Sequence, residues 1–102
     1  MVGQVSIPSD ALRGVCARYH VSRLDVTGSL ARGDFDPTRS DIDLLVEFSP
    51  GASVSAIEFM ELTQAIERIV GRRVDLIELQ AVTNPILRAA LIRDRTPFYA
   101  AA

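Results

Sequence analysis

One alternating stretch, DIDLLVEF at residues 41–48, constrains the fold more than any other part of this chain. Successive side chains of a β-strand point to opposite faces of the sheet. The stretch therefore predicts a strand with an apolar face made of Ile42, Leu44, Val46 and Phe48. Its other face carries Asp41, Asp43, Leu45 and Glu47. Two carboxylates thus stand at the head of an otherwise apolar strand, where they repel each other unless a positive charge compensates them.

The remaining segments predict the elements around this strand. Apolar residues recur at helical spacing within residues 9–20, 53–71 and 84–94, and residues 22–27 and 72–79 are typical of strands. Ser9 and Asn84 are predicted helix N-caps, and Gly71 a helix stop. Residues 96–100 suggest a last extended segment. The order α-β-β-α-β-α predicts an α/β (α+β) fold, a small mixed sheet with helices packed mainly on one face.

Length and composition limit the classes of function. The 102 residues suit a single domain, residues 1–102, and 48% hydrophobic residues suffice for a core. A net charge of −2 argues against a general nucleic-acid-binding surface. All eleven basic residues are arginines, which excludes lysine chemistry, and Cys16 is the single cysteine, expected in a buried helix position. No stretch suggests a membrane span or a secretory signal, so we expect a cytoplasmic protein.

The carboxylates of Asp41 and Asp43 are candidate metal ligands. Residues two apart on a strand point the same way and lie about 6.6–6.8 Å apart, so both can reach a divalent cation beside the sheet. Oxygen ligands favour Mg²⁺ or Mn²⁺, and a pair of such ions is the usual device for phosphoryl or nucleotidyl transfer. Taken alone, two such aspartates more often face solvent or cap a turn.

Two further features support a site. Gly28 and Ser29 follow a predicted strand and precede LARGD, which suits one helical turn, and such a turn can present N–H groups and a hydroxyl to phosphate oxygens. Asp75 lies between Val74 and Leu76 on another predicted strand, where an aspartate is costly unless it is paired, binds a metal or faces solvent. If the two strands adjoin, three carboxylates meet.

The stretch TGSLARGDFDPTRSDIDLLVEF, residues 27–48, together with Asp75, resembles the signature of the polymerase-beta nucleotidyltransferase superfamily. GSxARG followed by SDIDLLV is similar in particular to its minimal nucleotidyltransferase (MNT-type) branch, often paired with HEPN-type partners. Eleven residues separate Ser29 from Asp41, a spacing that the superfamily tolerates. Thr27 replaces a more usual apolar or aromatic residue, and the loop before Asp41 is one residue longer than the commonest spacing. Neither departure changes a motif residue.

The resemblance implies a role for each matching residue. Asp41 and Asp43 correspond to the carboxylates that hold two Mg²⁺ ions and the nucleoside triphosphate. Asp75 corresponds to the third metal ligand, which also helps to activate the acceptor hydroxyl. Gly28 and Ser29 correspond to the triphosphate-binding turn. The two further motif positions expected to contact phosphates or brace the loop are Arg32 and Ser40.

The resemblance also implies a function. The chain would transfer AMP from ATP to a hydroxyl group, most simply a tyrosine of a HEPN-type ribonuclease toxin, and would act as the antitoxin of that pair. The chain as given shows no second domain that would hold a small acceptor, which favours an acceptor supplied by a partner. Two alternatives stay open: an antitoxin that neutralises its partner by contact alone, and a nucleotidyltransferase with a small-molecule acceptor. We expect no membrane and no direct nucleic-acid contact, and either a homo- or a hetero-oligomer.

Other polar and apolar residues receive structural interpretations. His20 suits a helix end, Glu47 is expected to be structural, and Asp34 and Asp36 are expected to be solvated in the loop. Arg72 and Arg73 face solvent or an acidic partner. Ile57 and Met60 fall outside the apolar stripe of their helix, as isolated exposed groups or as part of a partner interface with residues 86–94.

Overall fold

The computed structural model of this chain describes residues 9–34, 36, 38 and 41–100, with only the backbone of residues 99 and 100. In this part of the chain the helices are α1 (Ser9–Arg18), α2 (Gly28–Arg32), α3 (Ala56–Val70) and α4 (Pro85–Asp94). The strands are β1 (Val21–Thr27), β2 (Ile42–Phe48), β3 (Val74–Glu78) and β4 (Thr96–Ala100). A short 3-10 turn, Leu79–Ala81, follows β3.

The described strands form a mixed sheet in the order β3-β2-β1-β4. β1 pairs antiparallel with both β2 and β4, and β2 pairs parallel with β3. A parallel pair needs a long crossover connection, which α3 supplies. The predicted mixed α/β fold is confirmed, and the predicted last extended segment is β4. The helical turn predicted for residues 30–34 lies two residues earlier, as α2.

The core lies on the apolar face of β2, as the alternation predicted. Ile42, Leu44 and Val46 are at most 1% exposed. They pack in one cluster with side chains of β1, α1 and α3, among them Leu24, Val26, Leu12, Cys16, Leu62 and Ile66. Cys16 is buried in α1 as expected, and burial raises the pKa of its thiol to about 12, so this group stays protonated at neutral pH. The core therefore joins α1 and α3 to one face of the sheet.

Helix ends follow local chemistry. The Asn84 side chain accepts hydrogen bonds from two backbone N–H groups of α4, and Gly71 ends α3 with φ 71°. Both were predicted. Ser55 and Glu58 form a reciprocal capping box at the start of α3 that the sequence interpretation missed, although serine followed three residues later by glutamate is its usual signal. Ser9, predicted as a cap, lies inside α1 instead.

α4 contacts the opposite face of the sheet. The Thr27 hydroxyl donates to the backbone oxygen of Leu91 at 3.4 Å, and Arg95, directly after α4, reaches Glu47 at 3.3 Å. Within α4, whose ten residues are all described, none is buried. The predicted packing on one face thus holds for α1 and α3, while α4 lies loosely over the carboxylate face. Among the described helices, none has the length and apolarity to cross a bilayer.

Candidate active site

Strand register brings two of the predicted carboxylates together. β2 and β3 run parallel, and their pairing sets Asp43 directly opposite Asp75. Both side chains leave the sheet on the face opposite the core, because Ile42, Leu44 and Val74 occupy the alternate, buried positions. Asp75 is exposed, whereas Asp43 is half-buried. The condition set by the sequence, that these two strands adjoin, is therefore met.

Asp41 lies one residue before β2 and is exposed. It is close enough to Asp43 for its charge to act on that carboxyl. The structure thus places the three predicted aspartates at one end of the sheet, where β2 and β3 begin and β1 ends. Among the described residues, no three Asp, Glu, His or Cys side chains converge into a ready-made metal cage. Mg²⁺ usually binds one or two carboxylates plus substrate phosphates and keeps several waters, so a magnesium site does not require such a cage.

The Gly28–Ser29 turn closes against this end of the sheet. β1 places Thr27 opposite Asp43, and Gly28 follows with φ 68° as the first residue of α2. A Cβ at position 28 would overlap Oδ2 of Asp43 and come within 3.0 Å of its Cγ. Position 28 requires glycine for two reasons: its left-handed backbone conformation and the close approach of its backbone to the Asp43 carboxylate. The backbone of the predicted phosphate-binding turn therefore lies against the central carboxylate, with half-buried Ser29 next in the chain.

Arg32 ends α2 beside the carboxylates. Its guanidinium lies 3.7 Å from Oδ2 of Asp34 and 3.7 Å from Oδ2 of Asp94, and its side chain is 50% exposed. It is also near enough to Asp43 to act on the pKa of that carboxyl. Because the Arg32 guanidinium is half-exposed, it can bind the phosphate oxygens of a polyphosphate from solution. Ser40, the other predicted phosphate contact, lies outside the described residues.

The electrostatics of the site centre on Asp43. Burial raises the pKa of its carboxyl above the ordinary value of 3.8, and the charges of Asp75 and Asp41 raise it further, while Arg32 opposes them. The site thus carries more negative charge than its own arginine compensates. A bound divalent cation would remove that excess, and carboxylate oxygens are the donors that Mg²⁺ prefers. The residues present fit a magnesium site, with Asp41, Asp43 and Asp75 as the candidate ligands.

The sequence interpretation missed a second charged cluster on the same face. Asp25 is fully buried in β1, and Nε of Arg23 donates to its two carboxylate oxygens at 3.0 and 2.9 Å. Arg95 lies 3.7 Å from Asp25 and 3.3 Å from Glu47. The available signal was an aspartate inside the apolar run LDV with an arginine two residues earlier, which predicts a pair on one strand face. Glu47 has the structural role expected of it.

Thr27, noted as a departure from the family pattern, has a structural explanation. It is 1% exposed, and its hydroxyl donates to the carbonyl of Leu91 in α4. A buried hydroxyl needs such an acceptor. The polar residue before Gly28 therefore ties the end of β1 to α4, a contact that an apolar residue would not make.

Comparisons with known proteins identify the family of this chain. A family model described as a nucleotidyltransferase domain matches residues 9–99. MJ1379 of Methanocaldococcus jannaschii, provisionally named a protein adenylyltransferase, is 36% identical over 77 residues, covering 76% of each chain. The protein adenylyltransferase MntA of Thermococcus cleftensis is 34% identical over 74 residues, 72% of each chain.

Solved structures with the same fold extend the comparison. One described provisionally as a minimal nucleotidyltransferase superimposes with a TM-score of 0.72 at 34% identity, over 88% of each chain. Another holds the tri-AMPylated HEPN toxin of Shewanella oneidensis in complex with an MNT antitoxin. The matched chain gives a TM-score of 0.64 at 16% identity, over 91% of this chain and 70% of that one. At that identity the likeness is one of fold.

Proposed function

The chain belongs to the nucleotidyltransferase domain family, as an enzyme of the minimal, MNT-type branch, and we propose that it transfers AMP from ATP to a hydroxyl group of a partner protein. The observation that carries this proposal is the strand register that sets Asp43 beside Asp75, with the backbone of Gly28 against Asp43. A carboxylate pair next to a glycine turn suits a metal-bound triphosphate better than it suits a purely structural sheet end.

Each residue has a proposed part in the reaction. Asp41, Asp43 and Asp75 would hold Mg²⁺, which when bound neutralises charge on the phosphate oxygens. Gly28 and Ser29 offer backbone N–H groups and a hydroxyl to the triphosphate, and Arg32 offers its guanidinium. Ser40 remains a predicted phosphate contact. In this proposal, these groups would hold the triphosphate so that its α-phosphorus is within reach of an acceptor hydroxyl beside Asp75.

Asp75 is the proposed proton acceptor because it is exposed and stands opposite Asp43 on the shared face. The acceptor oxygen attacks the α-phosphorus and forms a new P–O bond, while the bond from that phosphorus to the pyrophosphate oxygen breaks. The proton of the hydroxyl passes to Asp75 and then to solvent, and pyrophosphate leaves. The product is an AMP ester of the acceptor.

The proposed acceptor is a tyrosine of a HEPN-type toxin, which makes this chain an antitoxin. Two observations on similar proteins support this. Relatives at 36% and 34% identity carry protein adenylyltransferase names, and a structure of the same fold contains an AMPylated HEPN toxin with its MNT antitoxin. The family model matches residues 9–99, and in this proposal the acceptor is supplied by the partner protein. The cytoplasm, where ATP is available, is the proposed location.

The test uses ATP labelled at the α-phosphate or, in parallel, at the γ-phosphate, incubated with the protein, Mg²⁺ and extract of the source organism. We expect one protein band that takes up the α-label and not the γ-label, with AMP on a tyrosine by mass spectrometry. Asp43→Asn should abolish the label, because the site loses its central carboxylate. Asp10→Asn, an exposed aspartate of α1 paired with Arg13 at 4.0 Å, is the matched control and should label normally.

Three other results would contradict parts of the proposal. No label, with a toxin-like partner bound equally by wild type and Asp43→Asn, would contradict transfer and leave an antitoxin that acts by contact. Label recovered only in small molecules would contradict a protein acceptor. Label at full strength in Asp43→Asn would refute the role given to the carboxylates.

A further inference from the structure

The end of α4 and the residue after it make polar contacts with Arg32, Thr27 and the Asp25–Glu47 pair, and the reaction proposed above gives these contacts no role. We propose that Asp94, the last residue of α4, is a positioning residue that orients Arg32 for the phosphates of the nucleotide. The inference rests on the proposed function, since it concerns the affinity of that same site for ATP. Three observations support the inference: the contacts of Arg32, the anchoring of α4 on the sheet, and the negative charge of Asp94.

Arg32 has two carboxylate partners of different kinds. Asp34 lies two residues away in the same segment, is 64% exposed and contacts Nε. Asp94 belongs to a different element, is 22% exposed and contacts NH1. A partner in the same segment moves with the arginine and cannot fix it relative to the sheet. The contact with Asp94 can, because it ties the end of α2 to the end of α4.

The end of α4 is itself anchored on the sheet. Arg95, the next residue, lies between the buried carboxylate of Asp25 and the carboxylate of Glu47, at 3.7 and 3.3 Å. One turn earlier, the carbonyl of Leu91 accepts the hydroxyl of buried Thr27. Asp94 is thus held between two contacts to fixed strand residues. A carboxylate fixed in this way can orient a half-exposed guanidinium that would otherwise sample many rotamers.

Charge alone would give Asp94 the opposite effect. ATP is an anion, so removing a carboxylate near its site makes the local potential less negative and should tighten binding. Loss of orientation should weaken it. The direction of the change in nucleotide affinity therefore separates a positioning role from a mere countercharge. A purely structural role of Asp94 would appear as a loss of protein stability in its variants. We expect little such loss, because an ion pair with a half-exposed arginine contributes little to folding.

The experiment measures the binding of Mg²⁺ with the non-hydrolysable ATP analogue AMP-PNP to the whole chain by calorimetry. The variants are Asp94→Ala, Arg32→Ala and the double variant. We expect Asp94→Ala to weaken binding about three- to tenfold, and to have no further effect in the Arg32→Ala background, because interacting residues give non-additive changes. Asp94→Glu, which keeps the carboxylate, should recover most of the affinity.

The matched control is Arg93→Ala. Arg93 also contacts Asp94, at 3.4 Å, and is 74% exposed. Its loss should leave AMP-PNP affinity unchanged if Asp94 acts through Arg32. Thermal melting checks that each variant is folded, and Asp94→Asn, of the same shape, replaces the alanine variant if that one unfolds.

Three results would overturn the inference. Wild-type protein that binds no AMP-PNP would overturn it together with the proposed function. If the wild type binds AMP-PNP and Asp94→Ala binds it equally well or more tightly, only the positioning role is overturned. Equal losses from Asp94→Ala with and without Arg32 would do the same, since Asp94 would then act by another route.

Discussion

Two groups of carboxylates lie on the same face of the sheet and differ in how their charge is compensated. The paired carboxylates, Asp25 and Glu47, are bound by arginines: Arg23 donates to both oxygens of Asp25, and Arg95 lies within 3.7 Å of both acids. The site carboxylates are Asp41, Asp43 and Asp75. For the central one, Asp43, burial and its two acidic neighbours raise the pKa, and Arg32 offsets only part of that effect.

The difference separates a structural cluster from the candidate active site. Asp25 is fully buried and Asp43 is half-buried, and burying a charge is costly unless a partner compensates it. In the paired group the chain supplies the partner, so nothing else is needed. In the site group the chain supplies too little, and a cation from solution would complete the balance. Residue type alone would not distinguish Asp25 from Asp43, because both lie on strands beside apolar neighbours.

The largest stability effect should come from breaking the paired group. Asp25→Ala leaves Arg23 and Arg95 without their buried partner, and removing one member of a buried ion pair typically costs 3–5 kcal/mol. Both arginines are partly exposed, at 35% and 23%, so we expect about 2–4 kcal/mol. Urea denaturation measures it. Asp10→Ala, which breaks the exposed pair with Arg13, should stay within about 0.5 kcal/mol of wild type.

A loss at Asp25 no larger than at Asp10 would erase the distinction between the two groups. It would mean that the arginines find water or other acceptors at no cost. A loss of nucleotide affinity in Asp25→Ala is also expected, because Arg95 then keeps only its contact with Glu47 to anchor the end of α4. That loss should be smaller than the one in Arg32→Ala, which removes the phosphate contact itself.

The next effect in size concerns the glycine at the open end of the sheet. Gly28→Ala requires a side chain at φ 68° and puts its Cβ into the Asp43 carboxylate. Left-handed backbone costs roughly 1–2 kcal/mol for a non-glycine residue, and the overlap adds to it. Gly71→Ala is the matched control, with φ 71° and no atom within 4 Å of the added Cβ. Both variants should lose stability by the backbone cost, and Gly28→Ala should lose more.

AMP transfer should also distinguish Gly28→Ala from Gly71→Ala. Gly28→Ala should lose AMP transfer, since either Asp43 or the turn has to move, whereas Gly71→Ala should keep it. Equal stability losses with transfer intact in both variants would show that the Asp43 carboxylate is free to turn aside. The close contact would then be unimportant to the site.

Much of this architecture could be predicted from local patterns. The alternation in residues 41–48 predicted both faces of β2, and Gly71 and Asn84 predicted where helices end and begin. These signals are local, because they depend on side-chain direction and backbone conformation within a few residues. The motif also predicted which end of the sheet carries the site. The sequence predicted that Asp43 and Asp75 meet only if their two strands adjoin. Strand order and register decide that, and neither is a local property of the sequence.

Of the contacts in the paired group, the one between Arg23 and Asp25 had a local signal that the sequence interpretation missed, whereas the contacts of Arg95 had none. Arg95 lies 70 positions after Asp25 in the chain, and their contact depends on how α4 crosses the sheet. The weak apolar patterning of α4, with Ile86 82% and Leu87 51% exposed, gave no sign of which face it would cover. The partner interface suggested for residues 86–94 with Ile57 and Met60 stays a prediction. Long-range polar contacts of this kind appear only once the fold is assembled.

The smallest effect, and the most specific for the site group, is the stability of Asp43→Asn without metal. Folding raises the pKa of Asp43 above its ordinary value of 3.8, so the folded state favours the protonated acid. The contribution of this carboxyl to the free energy of unfolding is therefore fully present below pH 3.8, its ordinary pKa. That contribution is lost as the pH rises through the raised pKa of the folded state. Asparagine has no charge to lose. The variant should gain stability relative to wild type as the pH rises from about 4 to 7, by less than about 1 kcal/mol because the open site is screened by solvent.

Magnesium should reverse that order. A ligand that binds only the folded state stabilises it in proportion to the logarithm of its concentration above the dissociation constant. Adding Mg²⁺ with AMP-PNP at pH 7 should therefore raise the melting temperature of wild type and leave Asp43→Asn nearly unchanged. Asp25→Asn, matched in chemistry, should show the opposite pattern: loss of stability without metal, and a remaining response to Mg²⁺ with AMP-PNP while the protein is folded. If Asp43→Asn were destabilised without metal to the same extent as Asp25→Asn, the site carboxylates would be structural, and the excess charge at this end of the sheet would need no cation.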